Sequence, residues 1–194
     1  MALRYAELLA GPGVERGLIG PREGPVLWTR HLMNCAALIP FLPEHGTVLD
    51  VGSGAGLPGI VLALARPDLS VTLLEPMARR CAFLTEVVNE LGLASVRVER
   101  GRAEEVAGRL SADTVVARAV APLGRLVPLA IPLVDRTGSG TGSVLALKGA
   151  DAAAEVADAG GVLAKCDARA EICRVAVPGT TTTTTVVRIL VNPR

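Results

Sequence analysis

Three glycines at alternate positions stand between a predicted strand and a predicted helix, in the stretch VLDVGSGAGLPG at residues 48–59. Proteins of the α/β class hold nucleotides at such a turn. Gly54, Gly56 and Gly59 complete G-x-G-x-x-G, the pattern of dinucleotide-binding dehydrogenases. Gly52, Gly54 and Gly56 instead make the G-x-G-x-G that is typical of methyltransferases using S-adenosylmethionine. The glycines alone leave both kinds of chemistry open.

Two acidic residues at predicted strand ends bear on the choice of ligand. Asp50 lies two residues before Gly52, and its carboxylate would repel the pyrophosphate of a dinucleotide. The same carboxylate would attract the ammonium and sulfonium groups of S-adenosylmethionine, since charges about 4 Å apart interact by several kcal/mol at an intermediate dielectric. Glu75, at the end of the next strand, can accept hydrogen bonds from the ribose of either ligand. Asp50 therefore favours the methyl donor.

The elements that must position these residues alternate between strands and helices. Strands are predicted at 47–51, 71–75, 95–100, 113–120 and 144–149, and helices at 58–65, 77–91, from 103, at 122–133 and up to 159. Pro58 is expected at the first position of its helix. Such βα units predict a mostly parallel sheet with helices on both faces and the first strand near the centre.

The carboxyl-terminal part differs in character. The segment 135–143 is predicted to be a flexible loop. Two β-rich runs, 171–177 and 180–191, flank Pro178-Gly179 and predict an antiparallel hairpin, with the threonine run 180–185 as turn plus edge strand. A dehydrogenase of this type usually continues into a second parallel half, so the hairpin also favours the methyl donor.

The amino-terminal part reads as helical from about residue 2 to 41, with interruptions at 11–13 and 20–25. We expect residues 1–45 to form a helical extension and 46–194 the catalytic domain, within one compact domain overall. One apolar helix face is predicted from the spacing of Trp28, His31, Leu32, Cys35 and Leu38.

Composition limits the remaining possibilities. Half of the residues are hydrophobic but only four are aromatic, so the core must be aliphatic; the net charge of +1 neither supports nor excludes a nucleic-acid partner. The four cysteines show no metal-ligand pattern, so we expect no metal and the reduced thiols of a cytosolic protein. No apolar stretch approaches the length of a bilayer span, so we expect a soluble protein.

Six segments in order carry a family resemblance: RHLMNCAALI, VLDVGSGAGLPGIVLAL, VTLLEPMARRCAFL, GRAEE, VVARAVAPL and ALKG. Together they resemble the glucose-inhibited division protein B family, also called RsmG, over nearly the whole chain. The resemblance implies an α/β class I methyltransferase fold, Rossmann-like, with a mostly parallel seven-stranded sheet and an antiparallel carboxyl-terminal hairpin. It implies a cytoplasmic, monomeric enzyme that uses S-adenosylmethionine to methylate N7 of guanine 527 in the 530 loop of 16S ribosomal RNA, naked or in an assembling small subunit.

The family pattern and the properties of the individual residues together predict a set of cofactor-binding residues. The set is Asp50, Gly52, Ser53, Gly54, Gly56, Leu57, Glu75, Ala103, Glu104 and Arg118. Ala103 leaves room for the adenine ring beside it. Without the family, Glu104 would be a solvated acid in the first turn of a helix, complementing the helix dipole.

Arg118 is also the predicted catalytic residue, in an orienting or substrate-binding role. N7 of guanine has a lone pair and no proton, so catalysis reduces to holding N7 in line with the methyl group. Arginine can hydrogen-bond guanine O6 or anchor a nearby phosphate; the alternative is a structural ion pair at a strand end.

Two further residues are predicted substrate contacts. His31 could contact RNA or cover the donor, with a packed core histidine as the alternative, and Lys148 could contact a phosphate. Arg79 and Arg80 are interpreted as a solvated helix face. With few aromatics to stack on bases, RNA binding should rest on arginine–phosphate contacts and weaken as salt rises.

Two alternatives to the ribosomal RNA enzyme stay open. A small-molecule methyltransferase is possible because the cofactor residues do not identify the acceptor. A dinucleotide-binding oxidoreductase or sensor is the alternative from another class.

Overall fold

The computed structural model of the 194-residue chain describes residues 1–137, 142–177, 179–181 and 183–192. Seven strands form one sheet: β1 Gly46–Val51, β2 Leu69–Glu75, β3 Val96–Arg100, β4 Thr114–Arg118, β5 Ser143–Lys148, β6 Ala168–Ala176 and β7 Thr183–Val191. Their order is β3-β2-β1-β4-β5-β7-β6. Strands β1 to β5 pair in parallel, and β7 is antiparallel to both β5 and β6. The predicted sheet is confirmed, with its order reversing at β1.

The prediction that the threonine run forms an edge strand is wrong. Thr183, Thr184 and Thr185 belong to β7, which lies between β5 and β6, and β6 is the edge. The reason is the apolar run that follows in β7. Val186, Val187 and the residues at 189–191 are buried on both faces of the strand, and such a run requires an interior position in the sheet.

Eight α-helices in the described ranges cover the sheet: α1 Ala2–Leu8, α2 Met33–Ala36, α3 Gly59–Ala65, α4 Ala78–Glu90, α5 Ala103–Val106, α6 Leu123–Ala130, α7 Ala152–Asp158 and α8 Gly160–Lys165. Helices α1 to α4 contribute to one buried cluster and α5 to α8 to the other. None of the helices described is both long and apolar enough to cross a bilayer.

Several predicted boundaries shift. Pro58 precedes α3 as its cap instead of occupying its first position. The helix predicted at 122–133 is α6 followed by a 3-10 turn at Ile131–Leu133, and the alanine-rich helix is divided into α7 and α8. Residues 138–141 of the predicted flexible loop, and Pro178 and Thr182 of the predicted hairpin, lie outside the described residues.

The amino-terminal region is helical, but its turns are not all α-helical. A π-helical turn at Leu9–Gly13 bridges the predicted interruption, and a second one spans Leu27–Leu32. A π-helix needs more residues per turn than an α-helix, so the 3.6-residue spacing is lost there. Trp28 consequently leaves the predicted apolar face and is 40% exposed. The other apolar members of that face, Leu32, Cys35 and Leu38, are buried as predicted.

Tyr5 attaches this region to the rest of the fold. Its side chain is fully buried, and its hydroxyl donates a hydrogen bond to the carbonyl oxygen of Ala55 at 2.9 Å. Ala55 belongs to the loop between β1 and α3, so α1 contacts the glycine-rich turn directly.

The start of α3 has no room for a side chain. A Cβ at Gly59 would clash with the side chain of Leu73 and would lie 2.7 Å from Asp50 Oδ2. We predict that Gly59→Ala lowers the free energy of unfolding by about 1–3 kcal/mol, the usual cost of overpacking a core. Urea denaturation measures this change.

The matched control is Gly161→Ala in α8, where an added Cβ meets nothing within 4 Å. This variant should keep or raise the free energy of unfolding, by up to about 1 kcal/mol, because alanine restricts the unfolded chain. Equal stabilities of the two variants would contradict the packing argument.

Candidate functional site

The glycine loop, residues 52–56, connects β1 to α3 at the carboxyl edge of the sheet. Gly52, Gly54 and Gly56 have φ angles of +68°, +59° and +98°, which L-residues with side chains rarely adopt. A Cβ at Gly56 would also lie 2.6 Å from Ile60 Cγ1. The three alternate glycines are therefore required by the turn itself.

The first three backbone amides of this loop are already bonded within the protein. Gly52 N and Ser53 N donate to the carbonyl oxygen of Leu74 at 2.8 and 3.1 Å. Gly54 N donates to Glu75 Oε2 at 3.0 Å. Phosphate-binding loops hold their ligand with free amides. The arrangement therefore favours a ligand without a phosphate, against the dinucleotide alternative.

Asp50 lies behind the glycine loop and is fully buried. Its Oδ2 accepts a hydrogen bond from Gly59 N at 3.0 Å, so this carboxylate takes the position at the start of α3 where a phosphate would bind. Its Oδ1 is buried and has no hydrogen-bond partner among the residues that the structure describes. Burial raises the pKa of Asp50 to about 7, against the opposing hydrogen bond from Gly59. A cationic ligand near Oδ1 would favour the ionised form.

Glu75 holds the loop from the end of β2. Its Oε2 accepts the bond from Gly54 N, and its Oε1 accepts one from Met77 N at 3.0 Å. Arg80 Nη1 lies 3.6 Å from Oε2. Each carboxylate oxygen can accept a second hydrogen bond, so both oxygens keep acceptor capacity although only 1% of Glu75 is exposed.

The remaining predicted cofactor residues lie on both sides of these two acids. Ser53 is buried and donates its hydroxyl to the carbonyl oxygen of Asp50 at 2.9 Å. Ala103 is buried and Glu104 is exposed at the start of α5. Gly101 N donates to the carbonyl oxygen of Glu75 at 3.3 Å, which keeps α5 beside the end of β2.

A cavity of about 230 Å³, called here the donor cavity, opens over the glycine loop. It is lined on one side by loop residues 52–55 and Leu57, and on the other by Leu18, Ile19 and His31; Arg80, Arg118 and Ala119 complete it. Asp50, Glu75, Ala103 and Glu104 do not line this cavity. Asp50 and Glu75 are hydrogen-bonded to the lining residues Ser53 and Gly54, and Ala103 and Glu104 closely follow Gly101, which is bonded to Glu75.

A second cavity, of about 540 Å³ and called here the acceptor cavity, lies at the ends of β4 and β5. Arg118 and Ala119 line both cavities. Ala119 has a φ of +56°, unusual for a residue with a side chain. Such strain persists where the surrounding structure enforces it, often at functional sites. The dividing wall between donor and acceptor cavities is therefore a defined feature of the fold.

Arg118 is hydrogen-bonded to the amino-terminal region. Its Nη2 donates to His31 Nδ1 at 2.5 Å, and its Nη1 to Cys35 Sγ at 3.5 Å. Within the described part of the chain no carboxylate lies within ion-pair distance of Arg118. The alternative of a structural ion pair at this strand end therefore has no support in the geometry.

Lys148, the expected phosphate contact, is hydrogen-bonded within the protein. Its Nζ donates to the carbonyl oxygen of Ala121 and to Glu155 Oε2, both at 2.8 Å. Glu155 Oε2 also accepts a bond from Leu123 N at 2.8 Å. Burial raises the pKa of Glu155, but the bonds from Lys148 and Leu123 outweigh it, and the net shift is downward. Lys148 thus stabilises the wall of the acceptor cavity. Among the described residues that line this cavity, Arg125 is the exposed cation.

The structure adds residues that sequence patterns missed. Arg80, interpreted as part of a solvated helix face, lines the donor cavity, and its Nε is buried. Its position in the first turn of α4, just after Glu75, was the available signal. No sequence pattern pointed to Leu18 and Ile19, because these loop residues reach the cavity only through the packing of the amino-terminal region.

Comparisons with known proteins agree with this architecture. A family model described as rRNA small subunit methyltransferase G (GidB) matches residues 1–179. The ribosomal RNA small subunit methyltransferase G of Thermobifida fusca is 57% identical over 193 residues, covering 99% of this chain and 80% of that protein. The protein of the same name from Streptomyces avermitilis is 60% identical over 168 residues, covering 86% and 69%.

The fold also matches a solved structure at low sequence identity. A mutant of MtNAS in complex with S-adenosylmethionine superposes with a TM-score of 0.64 at 18% identity, covering 98% of this chain and 72% of that one. The likeness confirms the predicted class I methyltransferase fold.

The buried carboxyl of Asp50 generates a prediction on stability. Its pKa is about 7 in the folded protein against an ordinary value of 3.8. The unfolded chain therefore ionises first, and stability is lost as pH rises from about 4 to about 7. Asn cannot ionise, so Asp50→Asn should gain stability relative to wild type, more at pH 8 than at pH 5. Thermal unfolding of the cofactor-free protein at both values measures the difference.

Asp68→Asn is the control for this experiment. Hydrogen bonding to Arg66 lowers the pKa of Asp68, so that carboxyl is ionised at both pH values. The effect of its substitution should be equal at pH 5 and pH 8. If Asp50→Asn also shows equal effects, the buried carboxyl is not neutral at pH 5.

Proposed function

Because the chain belongs to the family of rRNA small subunit methyltransferase G, a family of S-adenosylmethionine-dependent rRNA methyltransferases, we propose that its acceptor is N7 of guanine 527 in the 530 loop of 16S ribosomal RNA. The family membership confirms the predicted cofactor. The substrate is this RNA, naked or in an assembling small subunit of the cytoplasm, and the enzyme acts as a monomer.

The observation that supports N7 as the target is the lack of an available base in the acceptor cavity. Of the described residues that line it, Glu155 is the sole carboxylate. Glu155 is bonded to Lys148 and to Leu123 N, and its lowered pKa makes it a poor proton acceptor. Methylation of a hydroxyl or an exocyclic amine requires loss of a proton, whereas N7 offers a free lone pair. The cavity fits the acceptor that needs no base.

S-adenosylmethionine supplies an activated methyl group on a sulfonium centre. Transfer of this group to guanine N7 would form a C–N bond at the expense of the S–C bond, and the positive charge would pass from sulfur to the purine. No proton is transferred, so the protein must supply alignment and exclusion of water. The wall formed by Arg118 and Ala119, which borders both cavities, is placed to set that alignment.

The residues around the proposed cofactor site divide into three groups by the part of the cofactor that each would hold. Glu75 is oriented by Gly54 N and Met77 N to accept hydrogen bonds from the ribose. Asp50 Oδ1, which has no partner among the described residues, would accept from the ammonium group of the methionine end, and that contact would favour its ionised form. Ala103 and Glu104 closely follow Gly101, whose N donates to the carbonyl oxygen of Glu75 at the end of β2, and they would contact the adenine.

The RNA must present its guanine from an unpaired loop, because a stacked base cannot reach a cavity of this kind. Arg118 can donate to guanine O6 from the cavity wall. Arg125 lies exposed at the rim and can contact a phosphate next to the target nucleotide. Lys148 is bonded to Ala121 and Glu155 and supports the cavity wall, and its third N–H can contact a phosphate.

The acceptor assignment can be tested in cells. Ribosomal RNA from cells that carry the gene should break at guanine 527 under chemistry that cleaves the chain at 7-methylguanine, and RNA from cells lacking the gene should not. Primer extension across the 530 loop locates the break. Cleavage that persists without the gene would contradict the RNA assignment and favour a small-molecule acceptor.

The role of Arg118 can be tested with the purified enzyme. We predict that Arg118→Ala lowers the rate of methyl transfer to 16S RNA on the order of 100-fold, since loss of alignment has costs of that size. The thermal midpoint should change little. Arg109→Ala, which removes a surface arginine paired with Glu99, is the control and should retain wild-type turnover. If Arg118→Ala only unfolds the protein, Arg118 is structural.

A further inference from the structure

We propose that Glu23 is a positioning residue: it fixes the tautomer of His31, and His31 in turn directs Arg118 towards the acceptor cavity. The proposal rests on the function proposed above, because Arg118 must meet the acceptor for its direction to matter. It replaces the expectation that His31 contacts RNA directly. Three side chains from three parts of the fold form one linear hydrogen-bonded chain, Glu23–His31–Arg118.

The direction of each hydrogen bond follows from what the groups can donate. An arginine guanidinium only donates, so at 2.5 Å from Arg118 Nη2 the Nδ1 atom of His31 must carry a lone pair. The proton of the neutral ring then lies on Nε2. That N–H donates to Glu23 Oε2 at 2.6 Å. We therefore assign the Nε2–H tautomer, and only the carboxylate of Glu23 satisfies its proton within the described chain.

Glu23 is held firmly enough to act in this way. Its backbone N donates to the carbonyl oxygen of Gly20 at 3.0 Å, and its carbonyl oxygen accepts a bond from Val26 N at 3.1 Å. Arg30 Nη1 lies 3.5 Å from its second carboxylate oxygen. The hydrogen bond from His31 lowers the pKa of Glu23, so the acceptor stays ionised. His31 itself is largely buried, with 12% of its side chain exposed.

The consequence for Arg118 is a restricted orientation. A free arginine side chain has many rotamers, and binding a base edge in one of them carries an entropic cost. His31 Nδ1 and Cys35 Sγ each accept one of the five N–H donors. Burial raises the pKa of Cys35 to about 12, so the thiol is a neutral acceptor that does not draw the guanidinium away as a thiolate would.

The opposite tautomer would break this arrangement. A proton on Nδ1 would point at a second donor, and Arg118 would have to turn away from His31. Loss of Glu23 removes the partner that favours the Nε2–H form. We therefore expect the Arg118 guanidinium to spend less time facing the acceptor cavity. Alignment of the guanine suffers more than binding of the RNA, whose affinity comes mainly from phosphate contacts.

The first test is spectroscopic and independent of the substrate. The chain has two histidines, and His45, with 85% of its side chain exposed, serves as the internal reference. Imidazole nitrogen-15 NMR of the cofactor-free protein should show His31 protonated at Nε2 with an unprotonated Nδ1. In Glu23→Ala the signals should move towards a mixture of tautomers. An Nδ1-protonated His31 in wild type, or unchanged His31 signals in Glu23→Ala, would overturn the proposal.

The second test measures methyl transfer to 16S RNA. Glu23→Ala should lower kcat by roughly ten- to a hundredfold, with KM for RNA and the thermal midpoint close to those of wild type. Asp68→Ala is the matched control: this carboxylate is exposed to the same degree, 29% against 28%, and also faces an arginine and a histidine. Asp68 precedes β2 at the amino ends of the parallel strands, whereas the site lies at their carboxyl ends. The variant should therefore keep wild-type kcat.

A double-mutant cycle separates positioning from simple loss of structure. The amide oxygen of His31→Asn can accept from Arg118 without any choice of tautomer, so Glu23→Ala should have little further effect on kcat in that background. Equal effects in both backgrounds would show that Glu23 acts independently of His31 and would overturn the proposal. If the tautomer and the cycle behave as expected but the product is not 7-methylguanine, only the acceptor assignment fails.

Discussion

Two buried carboxylates hold the glycine loop, and the geometry of the whole site depends on their hydrogen bonds. Asp50 Oδ2 binds the first amide of α3, and Glu75 binds Gly54 N and Met77 N. These bonds connect β1, β2, α3 and the start of α4 at one point. They also occupy the amides that a pyrophosphate would need. The same interactions that make the turn stable thus select a cationic nucleoside over a dinucleotide.

Holding the loop in this way has a cost that the ligand can offset. Asp50 is fully buried, one of its oxygens has no partner in the described structure, and its pKa is raised to about 7. Burial therefore disfavours the ionised form of this carboxyl. A ligand that brought positive charge to Oδ1, as proposed above, would favour the ionised carboxylate.

The amino-terminal region completes the site from above the sheet. Tyr5 is hydrogen-bonded to Ala55 of the glycine loop, and His31 and Cys35 accept hydrogen bonds from Arg118. Leu18 and Ile19 close the donor cavity. For the proposed N7 methylation, in which no proton moves, placement of the two reactants is the main contribution that a protein can make. Among the described residues, Arg118 is the arginine that lines both cavities, and its contacts with the amino-terminal region are consistent with that requirement.

The sequence by itself determined the features that depend on local periodicity and on residue type. These are the strand and helix order, the central β1, the glycine turn, and the placement of Asp50, Glu75, Arg118 and Lys148 at strand ends. Such features could be predicted because the alternation of apolar residues and the conformational freedom of glycine act over a few residues. The tertiary structure alone decided which partners those side chains meet. Arg118 and His31 are 87 positions apart, Lys148 is bonded to Glu155, and β7 lies inside the sheet instead of at its edge. Contacts of that kind depend on how whole elements pack, and no pattern within a single segment records them.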